Sequence, residues 1–224
     1  MTMLELPPIA LAALMGFVSG FLLSVPVGPI NLTIMKEGAR RGFTWAALIG
    51  LGAVVMEVIY CVIAFTSFSN LFGNRFIKAG LQLFSFAFMF YLGIKFLIAK
   101  HIPVHGRIEE RLEERLHPHS AFMTGFVRTM GNPGVLLFWI ILATNFMSRE
   151  WVTPDIRGKS ACILGVAGGT SLWFFGLSWA VSLGHKKFSE KTLLKMQHFS
   201  GFCLLGLGVA HGLHIAWQMA NKKM

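Results

Sequence analysis

The sequence predicts an all-α integral membrane protein with six transmembrane helices in an inverted 3+3 repeat, in which the first and fourth helices are broken. Three observations predict this fold class. The chain is 54% hydrophobic and only 13% charged, with a mean hydropathy of +0.63, whereas soluble domains carry about 25% charged residues. Its apolar residues fall into six long segments, and prolines interrupt two of them. With three spans per half, the second half enters the membrane from the side opposite to the first.

The six apolar segments match the roughly 20 residues that cross a hydrocarbon core of about 30 Å. They lie at residues 9–35, 43–65, 77–98, 121–146, 161–183 and 199–217. We interpret the whole chain, 1–224, as one transmembrane domain. It consists of a first repeat half at 1–100, a cytoplasmic connector at 101–120 and a second repeat half at 121–224. In the connector, Ile108, Leu112 and Leu116 recur at helical spacing, which predicts a short amphipathic helix on the membrane surface.

The distribution of Lys and Arg predicts the orientation of the chain in the lipid bilayer. The loops after the first, third and fifth segments carry more of these residues than the loops on the other side. Because basic loops remain in the cytoplasm, both termini are predicted to be periplasmic. The net charge of +10 is spread over short loops and forms no basic stripe with interleaved aromatic residues. We therefore expect no nucleic-acid partner.

The first break is the run Ser-Val-Pro-Val-Gly-Pro at 24–29, near the end of a long apolar segment. Proline has no amide donor, and its ring clashes with the carbonyl four residues earlier. Main-chain groups released inside a membrane need partners, so broken helices persist only where protein or a water-filled cavity receives them. We take Pro26, Gly28, Pro29 and Asn31 as candidate binding residues here.

The second break is Asn132-Pro133-Gly134, a little over halfway along the chain. Asn132 is a strong N-cap and Pro133 suits the first helical position, whereas Gly28 before Pro29 is a weaker version of the same start. A helix start exposes amides that suit a carboxylate. Breaks in corresponding positions of two halves are typical of a transporter's binding site, although a pair of packing kinks would give the same pattern.

Two charged side chains complete the candidate site. Glu57 is the one acidic residue of ten that falls inside a predicted span. It could pair with a substrate ammonium or carry a proton, or it could be a protonated acid hydrogen-bonded between helices. Arg128 precedes the second break by one helical turn, where it could hold a carboxylate or extend to the cytoplasmic surface.

The remaining residues that could carry chemistry predict neither a cofactor nor a metal site. His211 and His214 are one turn apart, but no third ligand accompanies them locally. The three cysteines lie singly in three different apolar segments, without metal-binding or redox spacing,. A membrane thiol-redox carrier would need a paired cysteine motif, and we expect no enzyme.

A resemblance to a known family covers nearly the whole chain in order. The matching runs are Ser-Val-Pro-Val-Gly-Pro at 24–29, Glu-Gly-Ala-Arg-Arg-Gly at 37–42, Gly-Leu-Gly at 50–52, Phe-Tyr-Leu-Gly-Ile-Lys at 90–95, Asn-Pro at 132–133, Trp-Phe-Phe-Gly at 173–176, Ser-Gly at 200–201 and Leu-Gly-Leu-Gly at 205–208. With these runs the chain resembles the lysine-exporter (LysE/RhtB-type) family. The resemblance implies a bacterial inner-membrane exporter of an amino acid or a similar small zwitterionic or cationic metabolite, working by alternating access. The implied coupling ion is the proton.

The sequence departs from the family pattern at two places. The family usually has aspartate where Glu57 stands, and lysine commonly follows Asn-Pro where this chain has Gly134. Arg128 replaces that lost charge in our hypothesis. A divalent metal-ion efflux protein, as in distant relatives of the superfamily, stays as the alternative function. A homodimer is left open as the oligomeric state.

Overall fold

The computed structural model describes residues 7–25, 28–67, 75–100, 112, 116, 120–183 and 190–220. These residues form helices and contain no strand. The helices are α1 Pro8–Ser24, α2 Pro29–Arg41, α3 Phe43–Ser67, α4 Arg75–Leu97, α5 Ala121–Met130, α6 Pro133–Ser148, α7 Ile156–Ser182 and α8 Glu190–Ala220. Pro26 and nearly all of the connector at 101–120 lie outside the described residues, so the predicted amphipathic helix stays a prediction.

Both helix breaks lie where the prolines predict them. The axes of α1 and α2 meet at 70°, and those of α5 and α6 meet at 67°. In the part of the chain that the structure describes, α3 and α7 are each long and apolar enough to cross a membrane singly. Counting each bent pair as one span makes up to four crossings. Among the described residues, α4 and α8 are not both long and apolar enough to count as spans in the same way. The count of six spans therefore stays a prediction.

Glycines bring α1 and α7 into contact along their backbones. A Cβ added at Gly16 would overlap the carbonyl oxygen of Cys162, and one added at Gly169 would overlap that of Phe17. A Cβ at Gly20 would lie 2.6 Å from the carbonyl oxygen of Val166. Small residues at these positions let the two helices approach more closely than any side chain would permit.

The pair α5 and α3 repeats this arrangement. A Cβ added at Gly125 would overlap the carbonyl oxygen of Ile49, and one at Gly52 would overlap that of Phe122. The similarity extends to the amide nitrogens: a Cβ at Gly52 would lie 2.8 Å from the nitrogen of Phe126, and the same distance separates the corresponding atoms of Gly169 and Phe21. The helix that precedes each break thus packs in the same register on a long helix from the other part of the chain.

The two helices before the breaks are also similar in sequence. Residues 17–24 read Phe-Val-Ser-Gly-Phe-Leu-Leu-Ser, and residues 122–129 read Phe-Met-Thr-Gly-Phe-Val-Arg-Thr. Both phenylalanines, the glycine and two hydroxyl positions coincide. Ser24 and Thr129 therefore occupy equivalent sequence positions: Ser24 is the last residue of α1, and Thr129 is the next-to-last residue of α5.

Further contacts join α3 to α7 and α4 to α8. α3 and α7 touch where a Cβ at Gly50 would lie 2.9 Å from the Cβ of Phe174. α4 and α8 pack together through Gly93 and Gly201. A buried apolar cluster that includes Phe65 and Trp139 fills the space beside the second break.

We expect Gly125→Ala to destabilise the protein strongly. The added methyl would overlap main-chain atoms of Ile49, which no side-chain rotation can relieve. Overpacking costs about 1–3 kcal/mol and occasionally more, and in a protein of this size 1 kcal/mol shifts the melting temperature by about 2–4 °C. Thermal unfolding of the purified protein in detergent measures the effect. Gly176→Ala is the matched control, because a Cβ at Gly176 would meet nothing within 4 Å. Equal melting temperatures for the two variants would contradict the packing described above.

Candidate functional site

Asn31 holds the first break together. Its Nδ2 donates to the carbonyl oxygen of Ser24 at 2.8 Å, so the last residue of α1 is bonded from the first turns of α2. Its Oδ1 accepts from Nε1 of Trp173 in α7 at 3.1 Å. Because Asn31 is only 3% exposed, these bonds form in the protein interior. The break is therefore fixed to α7 by side chains.

The start of α2 has no side-chain cap. Gly28 occupies the N-cap position with extended backbone, φ −112° and ψ −173°, and a Cβ added there would meet nothing within 4 Å. The first intrahelical bond runs from the amide of Leu32 to the carbonyl of Gly28 at 3.1 Å. Pro29 has no amide, so Ile30 supplies the first N–H that an outside acceptor could use.

The second break is capped by its own residues. Asn132 Oδ1 accepts from the amide of Gly134 at 3.1 Å, directly after Pro133 at the first helical position. The amide of Asn132 in turn donates to the carbonyl of Thr129 at 3.1 Å. The two helix starts thus differ, because only the second uses a side chain to satisfy its first-turn amide.

Tyr60 of α3 completes the hydrogen bonding of the second break. Its hydroxyl donates to the carbonyl oxygen of Met130, the last residue of α5, at 2.7 Å. Unpaired carbonyls are costly in a membrane interior, and this bond removes one of them. Each break is therefore bonded to one of the two long helices: the first to α7 through Trp173 and the second to α3 through Tyr60.

Glu57 lies on α3 one turn before Tyr60 and is 8% exposed. Oγ1 of Thr170, on α7 one turn before Trp173, donates to Glu57 Oε2 at 3.4 Å. A Cβ at Gly20 of α1 would lie 3.0 Å from the same Thr170 hydroxyl. The carboxyl group therefore lies between the two long helices, one helical turn from the side chains that bond the two breaks.

Arg128 extends from the last turn of α5 to α2. Its guanidinium donates to Thr33 Oγ1, and Thr33 Oγ1 donates in turn to the carbonyl of Pro29 at 2.6 Å. The arginine is half-buried. This contact places a cation against the first turns of α2. Which of the two roles considered from the sequence Arg128 has stays a prediction.

Three residues of the site, Tyr60, Trp173 and Thr170, were not identified from the sequence. A signal for the first two does exist. Tyr and Trp inside a membrane protein favour the interfaces, where their polar ends are wet, yet these two lie well inside long apolar segments. A phenol or indole at such a position needs an internal partner. The sequence contains no comparable signal for Thr170, since threonines recur in several helices.

The described residues contain no group of three or more His, Cys, Asp or Glu side chains that could hold a metal ion. The side chains of His211 and His214 are not among those described. The metal alternative therefore stays a prediction.

We expect Tyr60→Phe to lower both stability and transport. The change leaves the carbonyl of Met130 without its hydrogen bond, which costs about 1–3 kcal/mol for a buried group. Thermal unfolding and transport in proteoliposomes measure the two effects. Tyr91→Phe is a stringent control, since Tyr91 is the other of the two tyrosines in the chain and is 59% exposed. Wild-type stability of the Tyr60 variant would show that the bond is dispensable.

Comparison with known proteins shows which family the chain belongs to. The profile of the family described as "LysE type translocator" matches residues 21–213. The chain is similar to the "Putative amino acid efflux protein YcgF" of Bacillus subtilis (strain 168), with 27% identity over 197 residues that cover 87% of this chain and 92% of the relative. It is also similar to the "Chemotactic transduction protein ChpE" of Pseudomonas aeruginosa, with 23% identity over 70% of this chain and 75% of that protein.

No solved structure matches the chain. The family profile nevertheless spans both helix breaks, Glu57 and Arg128. The chain therefore belongs to the LysE type translocator family of membrane transporters.

Proposed function

We propose that this protein is a secondary transporter of the bacterial inner membrane that exports an amino acid, or a similar small zwitterionic or cationic metabolite, in exchange for protons. The family and the amino-acid efflux name of the Bacillus relative support export. The observation that carries the proposal is a buried carboxyl group, Glu57, placed between two broken helices that are each bonded to a neighbouring long helix.

The proposed architecture is an inverted 3+3 repeat of halves 1–100 and 121–224, with both termini in the periplasm. The matched packing of α1 on α7 and of α5 on α3 supports it, as does the shared sequence of 17–24 and 122–129. In this arrangement the helix before each break packs against the second span of the other half, α1 against α7 and α5 against α3. The bodies that move in alternating access are then α1 with α7 and α5 with α3, rather than the two halves of the chain.

The two ends of a zwitterionic substrate find different partners. Its ammonium pairs with the Glu57 carboxylate. Its carboxylate binds at the start of α2, where Gly28 leaves the helix without a side-chain cap and Arg128 supplies a cation nearby. The start of α6 has a structural role instead, because Asn132 already occupies its first amide. The start of α6, which has the stronger N-cap, is therefore the poorer anion site of the two.

Glu57 also provides a route to proton coupling. An unpaired carboxylate is costly in a buried site of low polarity, so the group is stable either protonated or paired with a cation. Binding of the substrate ammonium from the cytoplasm then requires loss of the proton. Release of the substrate outside leaves the carboxylate to take up a proton there. One proton entering for each substrate leaving is antiport.

A counterflow screen in proteoliposomes tests the function directly. Vesicles preloaded with single amino acids are expected to exchange a labelled amino acid and to respond to an imposed pH gradient. A second set of vesicles, preloaded with divalent metal ions, tests the alternative of metal efflux. Exchange of a metal ion with no exchange of any amino acid would favour metal efflux, and sensitisation of cells to metal by His211→Ala would support that reading.

We expect Glu57→Gln to reduce exchange at least tenfold while the protein stays folded and inserted, because the amide is isosteric but binds neither a proton nor an ammonium as a carboxylate does. The residual exchange is expected to be independent of the pH gradient. Glu37→Gln is the control: Glu37 pairs with Arg40 and Arg41 at the end of α2. Full, gradient-dependent activity of the Glu57 variant would remove the carboxyl group from the mechanism.

We expect Gly28→Ser to weaken binding of carboxylate substrates about tenfold without loss of stability. The extended backbone at Gly28 suits a serine N-cap, which is worth only a few tenths of a kcal/mol relative to glycine. The new hydroxyl would occupy the first-turn amides that the substrate uses. Apparent affinity in the exchange assay measures the effect, and Asn132→Ser is the control because it exchanges one good cap for another. An equal loss for an amine lacking the carboxylate would refute the assignment.

A further inference from the structure

The hydroxyl of Thr129 is buried and unsatisfied. Thr129 is 2% exposed, and its Oγ1 has no hydrogen-bond partner among the residues that the structure describes. Leaving a buried polar group unpaired costs about 1–3 kcal/mol. Native structures contain few such groups, and a specific one calls for an explanation.

The side chain could have avoided this cost within its own helix. Other buried helical hydroxyls donate to the carbonyl four residues earlier at 2.6–2.8 Å, namely those of Ser24, Thr33, Thr144 and Ser178. Ser24 is the equivalent of Thr129 in the other broken span. Thr170 is a second buried threonine that forgoes this bond, and its hydroxyl donates to Glu57 instead. Thr129 therefore keeps its hydroxyl available for something other than its own backbone.

The contacts of the residues next to Thr129 show which part of α3 lies beside it. Gly125, one turn earlier on the same face of α5, contacts the backbone of Ile49 in α3,. Met130, the next residue, accepts the hydroxyl of Tyr60 in α3. Thr129 consequently lies beside the stretch of α3 between Ile49 and Tyr60, and Glu57 is on that stretch.

We propose that Thr129 and Glu57 together form the subsite for the substrate's primary ammonium group, with the Thr129 oxygen accepting one N–H and the Glu57 carboxylate accepting another. This assignment rests on the proposed function, and it adds Thr129 to Glu57 as a second group that binds the substrate's ammonium. An ammonium has three donors and no acceptor, so a single carboxylate leaves donors unsatisfied in a buried site. A hydroxyl lone pair beside the carboxylate meets that requirement.

The test compares Thr129→Val with Thr144→Val in proteoliposome exchange and in thermal unfolding. Valine removes the hydroxyl at nearly constant volume. Thr129→Val is expected to weaken apparent affinity for an amino acid about tenfold, the effect of one hydrogen bond to a charged group, with a melting temperature equal to or above wild type. Thr144→Val loses an intrahelical bond to Ile140, so its melting temperature falls while its affinity stays at the wild-type value.

A 2-hydroxy acid, in which a hydroxyl replaces the ammonium of the amino acid, gives the second readout. Thr129→Val is expected to change its apparent affinity less than twofold, because a hydroxyl has a single donor, which goes to the Glu57 carboxylate and leaves none for the Thr129 oxygen. Wild-type affinity of Thr129→Val for the amino acid would overturn the proposal and leave the hydroxyl with a resident water only. Equal losses for both compounds would overturn it as well.

Stabilisation by a simple primary alkylamine separates this proposal from the proposed function. At the same concentration, the amine is expected to raise the melting temperature of the wild-type protein more than that of Thr129→Val, because the variant binds it about tenfold more weakly. If the wild-type protein exchanges no amino acid but shows this difference, the proposed function fails and the ammonium subsite stands. If the amine stabilises both proteins equally, the subsite is refuted whatever the transport assay shows.

Discussion

The hydrogen bonding of main-chain groups at the two helix breaks is the constraint on which the rest of the structure depends. Prolines interrupt two apolar helices, and a membrane interior offers no water to the groups that are released. The protein supplies Asn31 and Trp173 at the first break and Tyr60 with Asn132 at the second. Because Trp173 and Tyr60 belong to α7 and α3, satisfying the breaks also fixes these helices beside them.

The close packing of helices follows from the same requirement. α7 and α3 must approach the broken helices closely for their side chains to reach the breaks, and glycines on both sides of each contact permit this,. The two contacts have the same register, yet the scaffold carries different side chains at equivalent positions. Five residues after the paired glycine, Gly52 or Gly169, α3 has Glu57 whereas α7 has Phe174. Two contacts with matching register therefore differ in chemistry, because only the α3 side carries an ionisable group at this position.

This asymmetry extends to the helix starts. At the second break Asn132 satisfies its own helix, and at the first break Gly28 does not. Arg128 then extends from the second broken span to the first, where it meets Thr33. In the proposed site, the polar groups that a ligand would use thus concentrate at the first break. The second break provides a rigid frame and the hydroxyl of Thr129, which has no hydrogen-bond partner among the described residues. The site proposed above, with one cationic and one anionic end, would suit a zwitterion better than a simple cation.

The sequence by itself determined the helical membrane class, the place of both breaks and the buried acid, because apolar composition, the missing proline amide and the cost of burying a charge are local properties. It also held the repeat of 17–24 in 122–129, a clearer sign of internal similarity than the breaks on which our prediction relied. Only the tertiary structure decided which helices pack together, that Thr170 contacts Glu57 across 113 residues of sequence, and that Arg128 extends to α2. Such contacts join residues far apart in the chain, so no local pattern specifies them.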